Sequence, residues 1–445
     1  MKESINKALV STKEYTLAFV RWLLLGITVG AVCGLVGTAF AKSVSFVTEL
    51  REAHGWLILL LPLGGLASVG IYKLCRVTDV GTNQVLKSVR SEKTVPFLLA
   101  PAVFIGSVLT HLFGGSAGRE GAALQLGGSI SALLSSMFRL DEKSRHVLTM
   151  CGMGAVFSAL FGTPLGACVF ALEVVSVGQV CSAALFPCIV SSITAFSIAN
   201  LLGVEPERFP LSFVPKLSVS SMWQVLVIAI IGALVSILFC YALHYTEKLF
   251  RKLFKNPFLR IAVGGTAIVL LTIIVGNDDY NGGGIHVINR IITENQVNYE
   301  AFILKIIFTA ITVAAGYKGG EIIPTMFIGG TLGGSLALLL GLNPGFGAAV
   351  GIAALFCGVT NCPLATIILS IEMFGAEGAV FFALAAITSF LLSGKASLYS
   401  GQKFLFSKLR EESSETPEKA EDAPETSEDE NLNENSNINE TESQE

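Results

Sequence analysis

From Val225 to Tyr245 the chain runs 21 residues without an Asp, Glu, Lys or Arg. A bilayer core of about 30 Å needs about 20 helical residues, so this run is long enough to span one. The rest of the chain is of the same kind. Only 14% of its 445 residues are charged and 52% are hydrophobic, against about 25% charged in a typical soluble domain. Further candidate spans lie near 17–48, 56–74, 96–112, 180–202, 261–275, 299–315 and 377–393. Apolar segments near 82–90, 120–137, 147–158, 163–177, 284–293, 325–341, 345–358 and 363–375 are shorter, or broken by Gly and Pro. Interrupted helices at bilayer depth persist only where the backbone lines a cavity or packs inside protein. The sequence therefore predicts an all-α polytopic membrane protein that is more than a bundle of straight spans.

The net charge of −4 conceals an asymmetry. Residues 411–445 carry 14 acidic side chains and one lysine, Lys419, a local charge of −13; the other 410 residues hold 29 basic and 20 acidic groups, or +9. The tail has too few aliphatic residues to bury a core and reads as disordered. Basic residues cluster before the first span (Lys2, Lys7, Lys13, Arg21), after the second (Lys73, Arg76) and after 225–245 (Lys248, Arg251, Lys252, Lys255, Arg260). The positive-inside rule then puts both termini in the cytoplasm and sends the spans at 17–48 and 225–245 in opposite directions. The nine cysteines lie in apolar runs, with no CxxC pair and no zinc spacing, and read as small buried hydrophobes. No cofactor, metal or nucleic-acid partner is expected. The first apolar run, Leu17 to Phe46, is too long for the core of a cleaved signal peptide.

The two halves repeat. Thr163-Pro164-Leu165 is followed by Glu173, and Cys362-Pro363-Leu364 by Glu372, each glutamate nine residues after its proline. Leu126-Gly127-Gly128-Ser129 matches Ile328-Gly329-Gly330-Thr331, at an offset of 202. Before these lie two glycine turns with a glutamate, Gly118-Arg119-Glu120-Gly121 and Gly319-Gly320-Glu321. Gly81-Thr82-Asn83 pairs with Gly282-Gly283-Gly284, each opening a short apolar helix. Inverted repeats with broken helices mark a transporter. A helix N-terminus offers unpaired N–H groups and partial positive charge, and glycine lets an anion approach the backbone. Four such turns converging at the protein centre would hold an anion weakly enough to release it.

Glu120 and Glu321 are expensive at bilayer depth, and an intramembrane carboxyl group is a functional candidate by default. Beside positive helix ends, Glu120 is expected to compete with the anion and, when protonated, to carry a proton. The simpler alternatives are ion pairs of Glu120 with Arg119 and of Glu321 with Lys318. Glu173 and Glu372 fit a capping role in the repeat as well as a functional one. Gly114-Gly115-Ser116-Ala117-Gly118 also matches the G-x-S-x-G nucleophile elbow. None of the five histidines, however, sits in a recognisable triad motif, so an intramembrane serine hydrolase is a remote alternative.

Gly118-Arg119-Glu120-Gly121 resembles the gating motif of the CLC family of chloride channels and proton-coupled anion exchangers, with Ala122 where proline is common. Gly320-Glu321-Ile322-Ile323-Pro324 resembles its later G-x-F-x-P motif, and Tyr399 its late pore tyrosine. The resemblance covers roughly residues 15–410. It implies a homodimer in a bacterial plasma membrane, with one pore per subunit built from two inverted repeats. It further implies a gating and proton-carrying role for Glu120 and Glu321, and anion contacts from Gly81, Thr82, Asn83, Gly118, Arg119, Gly121, Gly320, Ile322, Ile323 and Tyr399. The expected organisation is a cytoplasmic segment 1–16, a first repeat 17–203, a connecting loop 204–218, a second repeat 219–394, a C-terminal helix 395–410 lining the inner pore, and the acidic tail 411–445.

Departures from the family pattern point to one branch. The chloride-type filter reads G-S-G-I-P, whereas here it is Gly81-Thr82-Asn83-Gln84-Val85, similar to the fluoride-exporting branch. The inner proton glutamate of the chloride exchangers is Val174 here, and the glutamate at 321 also marks the fluoride branch. Fluoride is small and strongly hydrated, and Thr82, Asn83 and Tyr399 offer hydroxyl and amide donors to replace its water. The resemblance therefore implies a fluoride/proton antiporter, with a chloride/proton exchanger or a passive chloride channel as the alternative.

Overall fold

The computed structural model describes residues 2–77, 81–91, 94–405 and 408, with only the backbone of 2–12; the acidic tail lies outside these. Sixteen α-helices occur among the described residues. The first eight are α1 (Lys2–Ala53), α2 (Leu61–Leu74), α3 (Thr82–Ser88), α4 (Leu99–Leu112), α5 (Glu120–Met137), α6 (Glu142–Phe161), α7 (Pro164–Glu173) and α8 (Ser182–Leu201). The second eight are α9 (Val219–Leu253), α10 (Pro257–Val275), α11 (Ile285–Glu294), α12 (Ala301–Ala315), α13 (Ile322–Leu340), α14 (Pro344–Thr360), α15 (Pro363–Phe374) and α16 (Ala379–Leu392). Six helical segments are long and apolar enough to cross a membrane. Every apolar segment read from the sequence is mainly helical. The first is longer than its apolar run, because α1 continues unbroken through the boundary placed at residue 16.

The helices pair off in order, α1 with α9 through α8 with α16. α5 and α13 start 202 residues apart, and α7 and α15 start 199 apart. The caps repeat too. Asp141 accepts from Ser144 N–H at the start of α6 (3.3 Å), and Asn343 from Phe346 N–H at the start of α14 (3.0 Å). α6 ends on Gly162 and α14 on Asn361, both left-handed (φ 69° and 59°), as helix C-termini favour.

Contacts between the halves are reciprocal, as a two-fold relation requires. Gly118 N–H donates to Gly320 O (2.6 Å) and Gly320 N–H to Gly118 O (2.7 Å), in an antiparallel bridge. Ser116 N–H donates to Thr312 Oγ1 (3.1 Å), and Lys318 N–H to Thr110 Oγ1 (3.2 Å). The two repeat glutamates act as reciprocal caps. Glu173 accepts from Leu364 and Ala365 N–H (3.2 and 2.8 Å) at the start of α15, and Glu372 from Leu165 and Gly166 N–H (3.1 and 2.8 Å) at the start of α7. A carboxylate on two free amides at a helix N-terminus is a stable arrangement in low dielectric.

The core lies where α5 crosses α6 and α13 crosses α14. A Cβ on Gly127 would stand 2.1 Å from Gly152 O, and one on Gly329 2.6 Å from Gly351 O. Small residues let membrane helices approach this closely. α13 is the most enclosed of the six long segments, with 83% of its apolar window buried, against 50% or less for the others.

One element departs from expectation. The helix expected over 395–410 is absent from the described residues. After Gly394 (φ 58°) the chain turns, and β2 (Lys403–Phe404) pairs in parallel with β1 (Ser176–Val177). The reason is local competition by polar side chains. Ser397 Oγ accepts from Tyr399 N–H (3.1 Å) and donates to Gln402 Oε1 (2.9 Å), while Leu398 N–H is drawn to Val359 O (2.9 Å).

Candidate functional site

The Gly118–Gly320 bridge brings the starts of α5 and α13 together, and Glu120 sits at that junction. Its side chain is fully buried. Ile323 N–H donates to Glu120 Oε2 (3.3 Å), and Oε1 has no partner. The carboxylate fills the space over both glycines: a Cβ on Gly118 would lie 2.2 Å from Oε2, and one on Gly320 2.8 Å. Gly320 is required by close approach, since a Cβ there would also stand 2.4 Å from Gly121 N, whereas a Cβ at Gly118 would displace the Glu120 carboxylate.

Below the junction a cavity of about 280 Å³ is lined by Gly81, Thr82, Asn83, Gln125, Glu321 and Tyr399 among others. Gln125 donates to Thr82 Oγ1 (3.0 Å), and the Thr82 hydroxyl makes a long contact to Gly121 O (3.5 Å), weak enough to yield. Gly401 N–H donates to Asn83 Oδ1 (3.0 Å), so the amide's N–H₂ donors are left for the cavity. Arg90 donates to Gly401 O and fixes the same tie. The Tyr399 hydroxyl is buried without a partner. Glu120 Oε1 at the junction and Tyr399 Oη and Tyr72 Oη on the cavity wall are buried oxygens without a protein partner, as a site for an outside ligand or water would leave them. Lys73, Arg251, Arg260 and Lys318 also line the cavity, opposed by Glu247, so its mouth favours anions.

Most of the sequence-predicted site residues meet here. Ile322 and Ile323 open α13 and are buried, and the Ile323 amide reaches Glu120. Gly121 stands against Gly319 O and Thr82 Oγ1. Glu321 is half-buried on the cavity wall.

Two readings change: the Arg119–Glu120 ion pair and the convergence of all four glycine turns on one cavity. Arg119 joins the site through its backbone only. Its guanidinium donates to Glu207 and to Leu160 O (3.3 Å) and lines a separate cavity of about 580 Å³. The ion pair with Glu120 weighed above is not present among the described residues. The glycine turn at 282–284 does not line the inner cavity. Lys305, fully buried, donates to Tyr280 O (3.0 Å) and Gly282 O (2.7 Å), and Gly283 packs behind Ile323. Gln125, Arg90, Glu207 and Lys305 were not picked out from the sequence. Lys305 left a signal, as a lone charge inside the apolar run 299–315.

The serine of the elbow pattern is buried. Ser116 Oγ pairs with Thr309 Oγ1 (3.1 Å), and His111 with Ser107 O (2.8 Å).

Residues 64–394 match the sequence family described as "Voltage gated chloride channel". Among curated relatives, the "Chloride/fluoride channel protein" of Pseudomonas syringae pv. tomato is 36% identical over 386 residues, 85% of each chain. The "H(+)/Cl(-) exchange transporter ClcA" of Vibrio campbellii is 26% identical over 390 residues, 79% of this chain and 81% of that one. A solved structure described as that of "a CLC-type fluoride/proton antiporter" superposes with a TM-score of 0.84 at 35% identity, covering 86% of this chain and 98% of that one. A cyanobacterial Cl-/H+ antiporter, at 20% identity and a TM-score of 0.71, shares the fold.

Proposed function

We propose a specific transport reaction for this chain, which belongs to the voltage gated chloride channel (CLC) family: export of fluoride from the cytoplasm in exchange for inward-moving protons. The chain is a transport protein and not an enzyme. The observation that carries the proposal is the state of Glu120. Its carboxylate lies on the amide that opens α13, where an anion would bind, and half of it is unsatisfied.

In this reading the anion enters through the basic mouth and is met by the Asn83 amide, the Thr82 hydroxyl and the Tyr399 phenol. It takes the Ile323 N–H only when Glu120 gives it up. A proton arriving from outside neutralises Glu120 and removes its hold on that amide. The neutral carboxyl group then passes the proton inward by way of Glu321 on the inner cavity wall. One group that competes with the anion and carries the proton couples the two fluxes. Fluoride is favoured over chloride by Thr82-Asn83 in the filter, by Glu321, and by the relatives whose descriptions name fluoride. We further propose a homodimer with both termini cytoplasmic in a bacterial plasma membrane, with repeats at 17–203 and 219–394.

The test is a flux assay on purified protein in liposomes. A fluoride gradient should drive protons against their own gradient, and chloride should move far more slowly. Fluoride flux without proton movement would make the protein a passive channel, and equal chloride and fluoride fluxes would remove the specificity claim.

A further inference from the structure

The loop 204–218 that joins the repeats crosses both of them. Pro206 packs on Gly162, where a Cβ would stand 2.5 Å away. Glu207 N–H donates to Phe161 O (2.9 Å), at the end of α6, and Phe209 N–H to Met373 O (2.8 Å), near the end of α15. The Phe209 and Phe374 rings lie 6.1 Å apart. The backbone on both sides of Glu207 is therefore fixed, and the fixed loop carries its carboxylate onto Arg119. This is more than a surface ion pair. The Arg119 side chain is 9% exposed and that of Glu207 19%, and Arg119 Nε is buried without a partner.

Arg119 adjoins Glu120 in sequence and lines the 580 Å³ cavity, which in the orientation proposed above opens outward, beside the C-terminal part of α1. An unpaired, desolvated guanidinium at that point would be a strong anion trap. An exporter needs the reverse, an outer exit that lets the anion go. Resting on the export reading above, we infer that Glu207 is a positioning residue for anion release. Its carboxylate cancels the charge of Arg119 at the outer exit and keeps the guanidinium committed to the loop and Leu160 O. An anion that has passed Glu120 leaves instead of lodging beside Arg119. Lys42 and Arg208 on the cavity wall are balanced by Glu49 and Glu205, so the 119–207 pair decides whether an uncompensated cation faces the exit.

The experiment uses the full chain in liposomes with oriented or one-sidedly inhibited protein, and titrates the transported anion separately on each side. Glu207→Gln should tighten the external half-inhibition constant about fivefold to tenfold, the scale of one charge-assisted contact. It should leave the internal half-saturation constant unchanged. Glu207→Asp, which keeps the charge, should retain weak external binding. The double variant Arg119→Gln/Glu207→Gln buries neither charge, so it should fold even if Glu207→Gln does not, and should bind external anion no more tightly than the parent. A merely structural role would shift both sides together or be unaffected by removing Arg119. Equal shifts on both sides, no external shift in Glu207→Gln, or tighter external binding in the double variant would overturn the inference. Sidedness can be read with whichever halide the parent protein carries. Failure here is thus distinct from failure of the fluoride/proton reading, which shows as absent proton coupling in the parent.

Discussion

Glu120→Gln isolates the proposed competition between carboxylate and anion. The side chain is fully buried, and its carboxylate accepts from Ile323 N–H at 3.3 Å. In the parent an anion reaching that amide displaces a charged acceptor, a contact of about 1.5–3 kcal/mol net. In the variant it displaces a neutral amide oxygen, about 0.5–1.5 kcal/mol. The difference of about 1–1.5 kcal/mol corresponds to roughly fivefold to tenfold tighter anion binding. In the proposed mechanism the same change removes the group that carries the proton, so fluoride should still move but proton transport should fall to the background of empty liposomes. Equilibrium titration of the detergent-solubilised protein gives the affinity, and a pH-sensitive dye inside liposomes gives the coupling. Unchanged affinity together with retained uphill proton movement would refute the reasoning.

Three further outcomes follow from particular contacts. Tyr399→Phe should weaken anion binding several-fold while leaving thermal stability in detergent nearly unchanged, because the hydroxyl has no protein partner to lose. Glu173→Leu should lower stability by about 2–5 kcal/mol, visible as a reduced melting temperature, because two amide donors at the start of α15 lose their acceptor. Asp279, in the loop before α11, is held below the usual aspartate range by hydrogen bonds from His286 first and then Arg290. Its stabilising effect is complete above the ordinary aspartate pKa and fades as pH falls through the depressed value. Asp279→Asn should therefore lower melting at neutral pH, with the difference from the parent shrinking in strong acid.

The helices were legible because hydrophobic runs and glycine breaks follow directly from bilayer depth, and the repeat because Pro164/Glu173 and Pro363/Glu372 keep one spacing. The junction at Glu120 was legible for the same reason: helix starts with glycine and a carboxyl group are chemically specific. The partner of Arg119 was not. Sequence adjacency suggested Glu120, but the pairing is set by a loop some 88 positions away, pinned by backbone bonds that leave no pattern in the chain. The segment 395–405 escaped for a similar reason. Ser397 bonds Gln402, Gln402 donates to Thr360 O at the end of α14, and helix periodicity does not register such competition. Lys305 shows the remaining limit. Its charge stood out, but that it captures the carbonyls of Tyr280 and Gly282 depends on how the halves fold together.

Protons exchanged on binding report most directly on whether anion and carboxylate alternate in one place. Calorimetric titration of fluoride into detergent-solubilised protein at neutral pH, in buffers of different ionisation heat, measures that exchange. Uptake of protons as fluoride binds to the parent, absent in Glu120→Gln, is the predicted result. Fluoride binding of equal strength with no proton uptake in either protein would contradict the account.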